Sequence, residues 1–153
     1  MAASTALSFG QKSPWPKAMK TILFVCVHNA GRSQMAEGLT RHLAAQMGLQ
    51  VSSQSAGTHG GKVLNPVAVQ AMEELGISME GQAPKLLTQE MADRADRIIS
   101  MGCGVDAEAC PAKFILTEDW GLDDPAGQPI EKVREIRDQI AERVRTMLLE
   151  LSL

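Results

Sequence analysis

The stretch from Thr21 to Met47 changes its hydrophobic period once, and abruptly. Thr21-Ile22-Leu23-Phe24-Val25 is a continuous run of bulky and β-branched residues, the pattern of a strand buried on both faces. From Gln34 onward Met35, Leu39, Leu43 and Met47 recur every fourth position, with Ala36 and Ala44 beside them and Gly48 as a stop, which predicts a helix over 34–47. Only Cys26 to Ser33 separates the two. A buried strand delivered into a helix by so short a loop points to a fold in which parallel strands are joined by helical crossovers.

The alternation continues. A second strand is predicted at Gln50–Ser55, closed by Gly57, and Pro66 sits at the first turn of a helix from Val67 to Leu75 that Gly76 stops. A third strand is predicted at Arg97–Met101 and a fourth at Lys113–Thr117. Pro129 opens a long C-terminal helix whose Ile130, Val133, Ile136, Ile140, Val144, Met147, Leu148 and Leu151 form one apolar stripe. Strands alternating with helices imply an α/β fold, a parallel sheet with helices on both faces. With 153 residues, no repeat and no internal linker, residues 19–153 are expected to form one domain. Residues 1–18 are small and polar and broken by Pro14 and Pro16; they read as a flexible extension, with Met19 an alternative first residue.

Composition removes whole classes of function. Lys and Arg number 15 against 18 Asp and Glu, so no basic surface is on offer to nucleic acid, and 3% aromatic residues make no stacking platform. No apolar run reaches the ~20 residues of a membrane span. Three cysteines, an odd number, do not make a disulfide scaffold, so a cytoplasmic chain is expected, a monomer by default.

Chemistry concentrates in Cys26-Val27-His28-Asn29-Ala30-Gly31-Arg32-Ser33, a C-x5-R-S motif between strand and helix. Loop amides running into a helix N-terminus cradle an anion. Arg32 offers a two-pronged fork to two oxygens of a tetrahedral oxyanion. The same positive field favours the thiolate of Cys26, a nucleophile, and Ser33 can donate to it. Gly31 permits unusual backbone angles and Asn29 tolerates them. His28 adjoins the nucleophile and reads as a bystander at the loop surface. C-x5-R alone is a weak signal; the flanking strand and helix give it weight.

Asp123-Asp124-Pro125 on its own is a turn. Beside an oxyanion cradle an aspartate there can be a general acid, and Asp124, adjoining the proline, is the better candidate. Cys103 and Cys110 have the wrong spacing for zinc and no second ligand pair, so no metal is expected; they read either as unrelated buried cysteines or as a redox pair. A phosphate ester is hydrolysed with one cysteine; two more suggest electron transfer. Arsenate has the shape and charge of phosphate but accepts two electrons to become arsenite, and one disulfide supplies two.

CVHNAGRSQMAEG from Cys26, SAGTHG from Ser55, Asn65-Pro66-Val67-Ala68-Val69 with Ala71-Met72, the Cys103/Cys110 pair and EDWGLDDPAG from Glu118 together resemble the arsenate reductases built on the low-molecular-weight tyrosine phosphatase fold, from about Lys20 onward. The resemblance implies a three-layer αβα sandwich with a four-stranded parallel sheet of flavodoxin-like type. It implies that Cys26 attacks arsenate held by Arg32 and the amides of Val27 to Ser33, and that Asp124 protonates the leaving hydroxyl. Cys103 then releases arsenite and forms a disulfide with Cys26, and Cys110 resolves it. No bound cofactor is implied, only an external thiol reductant: thioredoxin, glutaredoxin or a small thiol. Phosphate and sulfate are expected as substrate analogues. Family members hold potassium with an Asn, a Glu, a Ser and an Asp; Asn29, Glu37 and Ser55 match, and Lys85 stands where the Asp belongs, so its ammonium is expected to replace the cation. Gly31 replaces a further cysteine of several relatives. The rival is a tyrosine phosphatase, whose usual aromatic after Asp-Pro is here Ala126-Gly127, in a chain with no tyrosine. A non-catalytic oxyanion-sensing module is a third reading.

Overall fold

The structure is a computed structural model; it describes residues 19–102, 113 and 116–153. The elements are β1 (Lys20–Cys26), α1 (Arg32–Met47), β2 (Val51–Gly57), α2 (Pro66–Glu73), α3 (Gln89–Arg94), β3 (Arg97–Ser100), β4 (Glu118–Asp119) and α4 (Ile130–Leu151). The four strands lie in the order β2-β1-β3-β4, all parallel. This is the α/β sandwich that the alternation of elements implies, with β1 at the interior of the sheet.

Alternation along β1 separates two cores. Ile22, Phe24 and Cys26 join the larger one, against Met35 and Leu39 of α1, Ala68 and Met72 of α2, and Ile136 and Ile140 of α4. Leu23 and Val25 face a smaller one with Ala56, Leu87, Ile98 and Ala92 of α3. Full burial of such a side chain contributes about 1.5–3 kcal/mol, so a strand buried on both sides is a firm support for the loop that follows it.

The stripe on α4 packs as its spacing predicts: Val133, Ile136, Ile140, Val144, Met147 and Leu148 are buried, Ile130 and Leu151 half-buried. Helix α1 begins at Arg32, two residues before the predicted start at Gln34, and is capped after Met47 by Gly48 in the left-handed conformation (φ 69°). Met47, the last member of its expected stripe, is exposed because the helix outruns the core. Strand β2 runs through Gly57, β3 stops at Ser100, and α2 stops at Glu73 before the turn to Gly76. Asn65 caps α2 by accepting from the amides of Val67 and Ala68. Helix α3, six residues capped by Thr88, is not anticipated by periodicity, being under two turns long. The fourth strand lies at Glu118–Asp119, past the expected Lys113–Thr117, of which Phe114 and Ile115 fall outside the described residues; Thr117 still pairs with Ile98 of β3. The expected N-terminal extension over residues 1–18 is also outside them. No described helix is long and apolar enough to cross a membrane.

Candidate active site

The loop after β1 turns its carbonyls outward. Those of Cys26 and Val27 accept from the amides of Thr58 (3.0 Å) and His59 (2.8 Å), and that of Ala30 from Asn65 (2.8 Å). Outward carbonyls leave the inner side of the loop to amides, and those of Arg32 and Ser33, opening α1, have no intrahelical acceptor by position. Asn29 takes the left-handed conformation (φ 56°), as expected of it. Gly31 also takes unusual angles, φ −131° and ψ −88°, outside the α and extended regions, and its lack of a side chain serves contact as well, since a Cβ there would lie 2.8 Å from Pro125 Cγ.

Cys26 Sγ, 4% exposed, receives the Asn29 amide at 3.1 Å and stands 2.9 Å from Ser33 Oγ. Asn29 Nδ2 donates to that same Oγ at 2.8 Å, which leaves the hydroxyl proton available to a thiolate at Cys26. Arg32 is 8% exposed and anchored through Nη1, which donates to the carbonyls of Met101 (3.0 Å) and Leu122 (2.6 Å). This anchoring leaves the Nε–Nη2 edge, a side with two parallel donors, for an oxyanion.

Asp124 and Asp123 separate by partner. Asp124 Oδ2 stands 3.9 Å from Arg32 Nη2, its other oxygen accepts from the Ala126 amide at 3.0 Å, and the side chain is 65% exposed. Asp123 pairs with Lys132 Nζ at 2.9 Å, and that ammonium, by hydrogen bond and by charge, holds the Asp123 carboxyl below its ordinary range. Trp120 fixes the start of this loop: it is buried, its amide donates to Ser100 O at 2.8 Å, and its ring meets Phe24 at 5.5 Å between centroids.

Cys26, His28, Asn29, Arg32, Asp123 and Asp124 share one cleft of about 850 Å³, with Val63 and Leu64 on its far wall. His28 is at the exposed rim, its ring centroid 6.3 Å from that of His59. Cys103 and Cys110 lie outside the described residues. Gly102, next in the chain to Cys103, lines the cleft. Its left-handed φ of 80° and its approach to Leu122 (a Cβ would lie 2.6 Å from that amide) admit only glycine, and its amide donates to Asp119 Oδ1 at 2.8 Å.

Behind the loop the four residues of the expected cation site stand together. Ser55 donates to Glu37 Oε1, the Lys85 amide donates to Asn29 Oδ1 at 2.8 Å, and Lys85 Nζ is 3.6 Å from Glu37 Oε1 and 3.4 Å from Ala83 O. Arg41 approaches the other Glu37 oxygen at 3.7 Å. Among the described residues, no three metal-ligating side chains cluster. Gln34, fully buried behind Asn29, has only a helix-starting place in the sequence and no sign of a site role: a glutamine in the first turn of a helix carries no signal that distinguishes it from a solvated one.

Comparison with known proteins agrees with this geometry. The family model for low molecular weight phosphotyrosine protein phosphatase matches residues 21–152. The glutaredoxin arsenate reductase of Synechocystis sp. is 38% identical over 88% of this chain and all of its own. The arsenate reductase of Halalkalibacterium halodurans is 39% identical over 83% of this chain and 94% of its own. Among solved structures, an arsenate reductase in the phosphate binding state superposes with a TM-score of 0.71 at 39% identity, covering 86% of this chain and 98% of that one. A Corynebacterium glutamicum thioredoxin-dependent arsenate reductase gives 0.71 at 34%, covering 90% and 65%. The YwlE arginine phosphatase, with a phosphorylated active site serine, gives 0.74 at 26%, covering 86% and 95%. The chain belongs to the low molecular weight phosphotyrosine protein phosphatase family, and the two relatives just named, at 38% and 39% identity, are arsenate reductases.

Proposed function

We propose that this chain reduces arsenate to arsenite with electrons from its own three thiols. The observation that carries this reading is the meeting of Cys26, Arg32 and Asp124 in one cleft that Gly102, the residue before Cys103, also lines. The Cys26 thiolate attacks arsenic held by Arg32 and the loop amides, while Asp124 protonates the departing oxygen, giving a sulfur–arsenic(V) bond. Cys103 then attacks Cys26 Sγ: a disulfide forms, the sulfur–arsenic bond breaks, and its electron pair leaves with arsenic as arsenite. Cys110 attacks Cys103, freeing Cys26 and moving the disulfide to Cys103–Cys110. An external dithiol then restores both thiols.

The relatives' names support both glutaredoxin and thioredoxin as that dithiol, and the cytoplasm, where thiols are kept reduced, is the compartment that suits it. A monomer without bound cofactor suffices for this scheme. Arsenite production is measured with thioredoxin and with glutaredoxin systems separately, for the natural chain and for Cys26→Ser, Cys103→Ser and Cys110→Ser. The reading expects turnover only with all three thiols, and a Cys26–Cys103 disulfide accumulating in Cys110→Ser, seen by non-reducing mass spectrometry. Normal turnover in Cys103→Ser or Cys110→Ser overturns the relay. Hydrolysis of aryl phosphates with no arsenite made replaces it with the phosphatase reading.

A further inference from the structure

The hydrogen bonds at the cradle continue behind Ser33. Gln34 Nε2 lies 2.9 Å from Asn29 Oδ1, 3.1 Å from Asn29 O and 2.9 Å from Ala83 O, all acceptors. Gln34 Oε1 accepts from Gln82 Nε2 at 2.7 Å, and Gln82 Oε1 accepts from Arg41 Nη2 at 2.9 Å. An amide's oxygen and nitrogen are alike in shape, so the direction of such links is fixed by neighbours that only donate or only accept. Arg41 only donates, which turns Gln82 Nε2 inward. The Ala83 carbonyl only accepts, which requires Nε2 from Gln34. The Lys85 amide only donates, at 2.8 Å, which requires Oδ1 from Asn29. Asn29 Nδ2 is thus committed to Ser33 Oγ. Every link as far as Ser33 runs one way, inward from Arg41 at the surface, and the Ser33–Cys26 contact of 2.9 Å completes the same direction when Cys26 is a thiolate, which only accepts.

We propose that Gln34 is a positioning residue for the nucleophile: with Gln82 and Arg41 it orients Asn29 and so keeps the Ser33 hydroxyl a donor to Cys26 Sγ, which favours the thiolate. This rests on the reading of Cys26 as nucleophile. A sulfur that accepts from Ser33 and from the Asn29 amide is stabilised as an anion, and donors aligned in series polarise the last link. Without the Gln34 amide, Asn29 Oδ1 keeps only the Lys85 amide as donor, Asn29 is held less firmly, and Ser33 turns its proton away from sulfur more readily. Other charged or titratable groups facing Cys26 are Arg32, Asp123, Asp124 and His28, with His59 beside His28; Glu37 and Lys85 border the relay. None of these changes in the Gln34 and Gln82 variants that test the relay.

The rate of iodoacetamide labelling of Cys26 is followed against pH in the reduced full-length chain by peptide mass spectrometry. The natural chain is expected to have a midpoint well below the ~8.5 of a free cysteine. Gln34→Leu should raise it by about one pH unit, and Gln34→Glu, which offers Asn29 Oδ1 no donor, at least as far. Gln82→Leu, at a half-buried position, should raise it by about half as much. A purely structural role would lower Tm and leave the midpoint in place. A depressed midpoint in the natural chain that Gln34→Leu and Gln82→Leu do not move overturns the relay and leaves the nucleophile standing. An ordinary midpoint in the natural chain overturns both. Should the Gln34 variants fail to fold, Gln82→Leu and Arg41→Met decide the matter by the same criterion.

Discussion

Two polar clusters hold helices in place, and they are built on opposite plans. At the clasp between α2 and α4, Glu74 receives Arg134 through both its oxygens (2.7 to 3.1 Å) and Arg137 at 2.9 Å, while Arg137 also reaches Ala71 O at 2.8 Å. Full charges meet there, Glu74 and Arg134 partly open to water and Arg137 buried beneath them. At the cradle, by contrast, Asn29, Ser33 and Gln34 are fully buried and uncharged, and their bonds lead to one sulfur. Exposed ion pairs contribute little to stability and tolerate loss. Buried groups deprived of a partner carry their full desolvation cost. The Arg134–Glu74 pair of the clasp is therefore a replaceable fastening, and the cradle a single arrangement with no spare part.

The sharpest test of that contrast is Arg32→Lys. A lysine keeps the charge but loses the fork and the two carbonyl anchors, and kcat/KM for arsenate should fall by about 10²–10³. Steady-state arsenite production measures it, and a loss below threefold would place the oxyanion elsewhere. Next is the pair of aspartates. Asp124→Asn should lower kcat by about 10²-fold as the loss of a general acid. Asp123→Asn, which gives up only the Lys132 pair, should cost less than about tenfold. Equal losses would erase the distinction between them. Smaller still is the cation: with the Lys85 ammonium beside Glu37, rates in potassium and sodium should agree within twofold, and a several-fold activation by potassium would remove Lys85 from that role.

The clasp should respond least, and to pH rather than in turnover. Its two arginines, Arg134 foremost, hold Glu74 at about 2 against an ordinary 4.5. A carboxylate with a depressed folded value contributes stability that is full above the unfolded value and is lost as pH falls toward the folded one. The Tm difference between the natural chain and Glu74→Gln should therefore be widest near neutrality and shrink between pH 4.5 and 2, with arsenite production at pH 7 unchanged. A difference that stays constant over that window would disconnect Glu74 from acid stability.

What could be read in advance follows the same division between local and distant causes. β1, α1 and α4 were legible because each announces itself by its own period, and the C-x5-R loop because its parts are neighbours in the chain. Helix α3 was not, being too short to repeat. The apolar run Lys113–Thr117 predicts the fourth strand too early, because the pairing is completed at Glu118–Asp119, where Trp120 anchors it. The backbone freedom of Gly31 is legible in the sequence and matches its angles, whereas the contact that also excludes a side chain comes from Pro125, far along the chain. Gln34 was invisible because its meaning lies in Gln82 and Ala83.

β1 divides its side chains between both cores, and Cys26 is its last residue. Strands so enclosed belong to the unit that opens only when the whole domain opens, so their amides should be among the slowest to exchange with deuterium. The Cys26 sulfur is thus hung from the most persistent part of the molecule. Heat or denaturant should extinguish activity and the far-ultraviolet signal in one transition, and a mutation that loosens the rim should leave Cys26 seated.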